Sequence, residues 1–289
     1  MDVAVAPDLG IDVGPYRLIE LVEKGSFSSV YQAKHRFLGT IHAMKMVHPE
    51  VDKAVVDALA QEARIQARIV HRHVARVTDG GSWRGRIYLV LDWVPGKDLE
   101  QLIDGDGLGG VGDRLRLFRG LVRGVHAMHR RHVVHRDLKP SNVMVREVGR
   151  RREAVVIDFH LAKILTPGAA PEPVGLSREF ATLGTPGYMA PEQVTSVGSV
   201  DTRADLFSLG AILYEMVSGQ PAFVEDDEHD LFLKGRLERY VPLADVVPGV
   251  DPELCDMVTS LLKADPTRRL GSARRLLLAL DAHLSRRGS

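Results

Sequence analysis

The chain has 289 residues, with 38 Lys plus Arg balanced by 38 Asp plus Glu, so no overall field draws it to nucleic acid or to an anionic membrane. A hydrophobic fraction of 45% and a charged fraction of 26% are those of a globular protein, and the length suits one large domain or two lobes with separate cores. One cysteine, Cys255, rules out an intrachain disulfide and fits a reducing, cytoplasmic setting; in Leu254-Cys255-Asp256 it reads as a small buried hydrophobe on a helix.

The opening MDVAVAPDLGIDVG has no basic region and no apolar core, so it reads as a loose tail over 1–15 and not as a signal peptide. No stretch reaches the roughly 18 apolar residues that a membrane span needs. From Tyr16 to Asp92 the pattern is short and strand-like: YRLIELV, SVYQA, IHAMKMV and RIYLVLDWV. One Ala-rich helical stretch, Lys53 to Val70, interrupts it. Past Pro95-Gly96 the character changes to helical. Residues 113–132 place Leu117, Leu121, Val125 and Met128 on one face, with Asp113 as the expected N-cap. Further helices are expected at 203–218, 251–263 and 272–285. The fold class is therefore α+β and bilobal: a β-rich N-lobe (16–92), a hinge (92–98), a mainly helical C-lobe (99–285) and a short tail (286–289). A cleft between two lobes is a preferred place for a ligand.

The strongest chemical signal is His135-Arg136-Asp137-Leu138-Lys139-Pro140-Ser141-Asn142, where an acid, a cation and an amide fall within six residues. Phosphoryl transfer needs positioning and charge neutralisation more than covalent help. Asp137 can accept the proton of an incoming hydroxyl, Lys139 can sit on the transferring group, and Asn142 offers a hard oxygen to Mg²⁺. A second carboxylate, Asp158, stands at the end of the apolar run Val155-Val156-Ile157, which is how a metal ligand is held rigidly. In Ala43-Met44-Lys45 a lysine at the centre of an apolar strand must reach solvent at an edge or meet an anion. The run Thr182–Glu192 (TLGTPGYMAPE) is a Gly/Pro-defined loop.

These strings resemble the eukaryotic-like (bacterial-type) serine/threonine protein kinase catalytic domain, from about Tyr16 to Leu284. The octapeptide is similar to that family's catalytic loop at every signature position. The resemblance makes Asp137 the catalytic base, Lys139 the phosphate-binding lysine, and Asn142 and Asp158 the Mg²⁺ ligands, with Mn²⁺ able to replace Mg²⁺. It assigns ATP to Val22, Gly25, Val30, Ala43, Lys45, Glu62, Asp92, Val94 and Met144, with Lys45 paired to Glu62. It pairs Glu192 with Arg269, gives Asp205 the task of bracing the catalytic loop, and marks Arg136, Thr182 and Thr185 as structural or regulatory. Ser177 and Thr182 are the hydroxyls expected to take phosphate. Lys139 and Thr185 resemble the serine/threonine branch, so the expected partners are proteins bearing Ser or Thr, with no nucleic acid and no membrane segment; the oligomeric state is not legible.

Four positions depart from the pattern. Glu23 and Ser28 stand where the glycine-rich loop has its first and third glycines, leaving Gly25. His160 replaces the glycine after Asp158-Phe159, and Gln66 stands one turn after Glu62 where an apolar residue is usual. Glu23, Ser28 and His160 support an alternative reading, a pseudokinase or weakly active nucleotide-binding scaffold; a small-molecule kinase of related fold is a third reading, disfavoured by Thr185 and the segment around it.

Overall fold

Alternating apolar residues in the first ninety positions build strands, and the structure, a computed structural model, describes residues 9–25, 28–157, 163–164, 186–195, 200–224 and 238–287. The chain divides after Val94 into two units, and the short stretch Arg72–Val74 belongs to the second.

The first unit is an antiparallel sheet of β1 (Asp12–Val13), β2 (Tyr16–Lys24), β3 (Ser28–His35), β4 (Ile41–Val47), β5 (Val77–Trp83) and β6 (Arg86–Asp92), in the order β1-β2-β3-β4-β6-β5. Strand β1 lies within the stretch expected to be a tail, and β5 had no counterpart in the sequence reading. Period-two alternation sends Leu18, Tyr31, Ala33, Met44, Met46 and Val90 to one face, where they form a closed core with Tyr16 and Tyr88. Each large apolar side chain buried there contributes about 1.5–3 kcal/mol. Ala43 and Lys45 alternate to the other face of β4 and are half-buried.

Helix α1 runs Lys53–Gln66, shorter than the Lys53–Val70 expected. Its continuation tightens: the N–H groups of Arg68 and Ile69 bond to Ile65 and Gln66, three residues back. The polar oddity Gln66 has a structural use. It is buried, and its Nε2 donates to the Ala75 carbonyl at 3.2 Å, satisfying a backbone acceptor that an apolar side chain would leave bare.

The second unit is built on helices α2 (Leu99–Asp104), α3 (Val111–His129), α4 (Glu192–Thr195), α5 (Arg203–Ser218), α6 (Leu243–Val246), α7 (Pro252–Leu261) and α8 (Ala273–Arg287), among the described residues. α3 starts at Gly110 and not at Asp113, which lies inside the first turn and complements the helix dipole there. α8 extends two residues beyond the expected end. α5 is apolar nearly all round and buried from Ala204 to Val217, so it serves as the axis on which the unit packs. A hairpin of β9 (Val143–Val148) and β10 (Arg151–Val156) carries β7 (Lys97–Asp98) on its outer edge, while β8 (Val133–Val134) pairs with β11 (Lys163–Ile164). Cys255 on α7 is half-buried, not fully buried as expected; burial, then the Asp256 charge, pushes its thiol pKa up, which keeps it unreactive.

Two glycines of α3 let the Arg72–Val74 stretch dock. The His73 imidazole bonds to the Ala154 carbonyl at 2.8 Å, and the Val156 N–H donates to the His73 carbonyl at 2.9 Å. A Cβ on Gly124 would come within 2.6 Å of the His73 carbonyl oxygen, whereas one on Gly120 would meet the His73 ring at 3.1 Å. Gly→Ala inside a helix ordinarily stabilises by about 0.5–1 kcal/mol. Gly124→Ala is instead expected to destabilise by about 1–3 kcal/mol, as overpacking does. Urea unfolding midpoints check this: Gly124→Ala should fall well below wild type and below Gly120→Ala.

Candidate active site

The loop from His135 to Asn142 leaves the buried strand β8 and closes in one 3₁₀ turn, Pro140–Asn142, before β9. Its backbone is held by a side chain from the α5 axis. Asp205, with no exposed surface, accepts the His135 N–H at 3.0 Å and the Arg136 N–H at 2.9 Å. It also takes His129 Nε2 at 2.7 Å on the oxygen that His135 uses. An ionised carboxylate can only accept, so His129 Nε2 carries the hydrogen. Burial alone would raise the Asp205 pKa. The His129 hydrogen bond, the charges of His129 and His135 and the His135 N–H outweigh it and hold the carboxyl below its ordinary value.

This support lets Arg136 occupy left-handed backbone space, with φ of 69°. For a residue with a Cβ that costs roughly 1–2 kcal/mol. Both of its peptide groups are tied down: the N–H to Asp205, the carbonyl by Gln193 Nε2 at 2.7 Å. Gln193 is in turn fixed through α4. Its neighbour Glu192 makes a bidentate pair with Arg269, at 2.6 and 2.7 Å, and the Arg269 side chain has no exposed surface. The other Arg269 donors reach the carbonyls of Lys263, Ala264 and Arg203, so the fork is saturated. Ser208 of α5 adds a bond to the Tyr188 carbonyl at 2.8 Å.

The turn at Arg136 aims Asp137. Its Oδ2 accepts Asn142 Nδ2 at 3.1 Å and lies 3.7 Å from Lys139 Nζ. Asn142 Nδ2 also donates to the Asp137 carbonyl at 2.7 Å. With the amide nitrogen committed to Asp137, Asn142 Oδ1 makes no hydrogen bond among the described residues, which suits a hard oxygen donor for a divalent ion. The Ile157 N–H bonds to the Asn142 carbonyl at 2.9 Å, tying the end of β10 to the same loop.

The other expected site residues fall into three groups. Lys45, Ala43 and Val30 belong to the first unit: Val30 opposes Lys45 across β3–β4, which opposes Leu89 on β6, so these share a sheet face. Val22 does not join that row. A register irregularity between Leu21 and Glu23 puts Glu23 opposite Val30, and Val22 is 51% exposed. The turn after it is closed by the Gly25 N–H on the Ser28 carbonyl at 2.9 Å. Asp92 ends β6 with its carboxylate 3.8 Å from Arg76, Val94 is buried, and Met144 sits half-buried on β9 of the second unit. Asp158, His160, Ser177, Thr182, Thr185 and the Glu62 side chain lie outside the described residues.

Residues 16–278 match the protein kinase domain. The chain belongs to the protein kinase domain family. It is 30% identical over 282 residues to the serine/threonine-protein kinase pkn2 of Myxococcus xanthus, covering 96% of this chain and 33% of that one. It is 32% identical over 272 residues to the DNA damage-responsive serine/threonine-protein kinase RqkA of Deinococcus radiodurans (92% and 39%). Serine/threonine-protein kinase ATG1a of Arabidopsis thaliana is 32% identical over 266 residues (89% and 40%). The chain thus spans about a third to two-fifths of the length of these curated relatives. The two-unit fold, small and β-rich then mainly helical, is that of the family. No described helix is long and apolar enough to cross a membrane.

Sequence reasoning missed His129 and Gln193. Both act on the loop through single hydrogen bonds from other elements, and neither residue type signals that on its own.

The depressed Asp205 pKa has a pH consequence. A carboxyl held below its ordinary 3.8 in the folded state contributes stability that is full above that value and is lost as pH falls through the lower folded value. Asp205→Asn is expected to cost about 3 kcal/mol near neutrality, as breaking a buried pair does. The gap between wild type and variant in urea unfolding should stay constant from roughly pH 7 to 5 and narrow below about pH 4.

Proposed function

We propose that this chain is an ATP-dependent serine/threonine protein kinase, moving the γ-phosphoryl group of ATP to Ser or Thr hydroxyls of protein substrates. The observation that carries this reading is the Asp137–Lys139–Asn142 cluster, whose backbone is locked at Arg136 from two directions. Asp137 accepts the proton of the attacking hydroxyl, a contribution of roughly 10²–10⁴-fold for a placed base. Lys139, beside it, offsets negative charge on the group in transit. Bound Mg²⁺ neutralises the phosphate oxygens; Asn142 Oδ1 would hold it, with Asp158 as the second ligand by its place in the sequence. Mn²⁺ suits the same oxygen donors. Lys45 is assigned to the ATP phosphates, with Glu62 as its partner, and Val30, Ala43, Val94 and Met144 to the adenine, alongside Val22, Gly25 and Asp92.

Arg136 stands immediately before the base, and phosphate on Ser177 or Thr182 would bring about −1.5 to −2 charges for it and Lys163 to meet. Autophosphorylation in that stretch is part of this reading. The relatives' names support the serine/threonine class.

Transfer of labelled γ-phosphate from Mg-ATP to a generic protein substrate tests the assignment. Wild type should phosphorylate Ser or Thr, and Asp137→Ala should lose about 10²-fold or more of the rate. Equal signal from both proteins would remove Asp137 from the chemistry. An inactive wild type that still binds ATP would favour the scaffold reading that Glu23, Ser28 and His160 suggest.

A further inference from the structure

Away from the catalytic loop, α3 and α8 pack against each other with a seam of cations along their exposed edge. The spacing of α3 sets it up. Arg119, Arg123, His126 and Arg130 recur at four, three and four residues, which places all of them on one helical face. On α8, Arg274, Leu278 and Asp281 recur in the same way. The two stripes meet in antiparallel register. Arg119 is ion-paired with Asp281 at one end, and seven residues along each helix His126 lies within the field of Arg274. Burial first, then the nearby cations His129, Arg130 and Arg274, hold the His126 imidazole below its ordinary pKa.

Arg123, Arg130 and Arg274 are exposed, and none of them makes a salt bridge among the described residues. The one carboxylate on the α8 stripe, Asp281, is already engaged by Arg119. Leu278, 61% exposed, stands on the α8 stripe between Arg274 and Asp281. Like charges brought together without counterions raise the energy of the folded surface, and a complementary anion relieves it.

We propose that the α3–α8 seam is a docking surface for an acidic peptide segment, its carboxylates taken by Arg123, Arg130 and Arg274 and an apolar side chain resting on Leu278. Charge complementarity selects the sign of the partner, and dimensions select its kind. Arg123 and Arg130 are about 10 Å apart along α3, at about 1.5 Å per residue. An extended peptide covers that in about three residues. A single nucleic-acid-binding module buries roughly 600–1,000 Å² of protein surface, a longer basic face than three arginines supply. Lipid-binding clusters usually combine about four to eight cations, whereas three unpaired arginines line this seam. The proposal is independent of the kinase reading, since none of its residues touches the catalytic loop.

Fluorescence anisotropy tests it, using the whole chain and a labelled oligoglutamate peptide that carries one leucine. Wild type should bind at low salt and lose affinity as salt rises. Arg123→Glu with Arg130→Glu should weaken binding by about tenfold or more, and the milder Arg123→Gln with Arg130→Gln by about threefold. Both should leave phosphate transfer to a generic substrate at the wild-type rate. The Gln pair carries the test if the charge reversal fails to fold. No binding by wild type, or equal binding by the variants, overturns the proposal. Oligothymidylate or phosphatidylserine vesicles binding as tightly as the peptide would also overturn it, in favour of a nucleic-acid or membrane face.

Discussion

Everything at the His135–Asn142 loop depends on one buried carboxylate. Asp205 has no contact with solvent, which would ordinarily neutralise it, yet three donors converge on its two oxygens. The arrangement is costly to leave half-made: an unpaired charge at that depth costs several kcal/mol, while the completed set is stable. That asymmetry explains why the loop adopts one conformation. It also explains how Arg136 can stay in backbone space that a residue with a Cβ normally avoids.

A second chain of contacts reaches Arg136 from the other side. Phe207 on α5 lies under the Arg269 guanidinium, Arg269 grips Glu192, and Gln193 next to it holds the Arg136 carbonyl. The α5 axis therefore fixes the backbone just before Asp137 twice, directly through Asp205 and indirectly through Arg269. The buried, largely apolar character of α5 and the precision of the loop are one design: a few polar side chains placed on a helix with no other freedom to move.

How much of this was legible depended on whether the cause was local. The strand Ile41–Val47 was read with its bounds because it is a short apolar run broken only by His42 and Lys45. β5, with its run Asp79-Gly80-Gly81-Ser82, was missed because it is an exposed edge strand and its side chains carry no apolar pattern. Of the β9–β10 hairpin only the end of β10, at Val155-Val156, was read as a strand; the rest was hidden behind the Arg150–Arg152 run, although Gly149 at φ 61° marks its turn. Asp113 looked like a cap because its residue type fits. The true start lies three residues earlier, where glycines leave no such mark. At the site, Asp137, Asn142, Glu192 and Arg269 were named from their strings, and the Glu192–Arg269 pair is present in the structure. His129 and Gln193 could not be named, since their importance arises only when α3, α4 and α5 come together.

The claim that two independent ties hold Arg136 is best tested by a double-mutant cycle on the phosphate-transfer rate, with Asp205→Asn and Gln193→Ala. If both act by fixing the same strained residue, the losses should not add. The coupling should be about 0.5–3 kcal/mol, with the double variant losing less than the two singles combined. Losses that add within about 0.3–0.5 kcal/mol would show that the two contacts serve separate purposes, and would contradict the account.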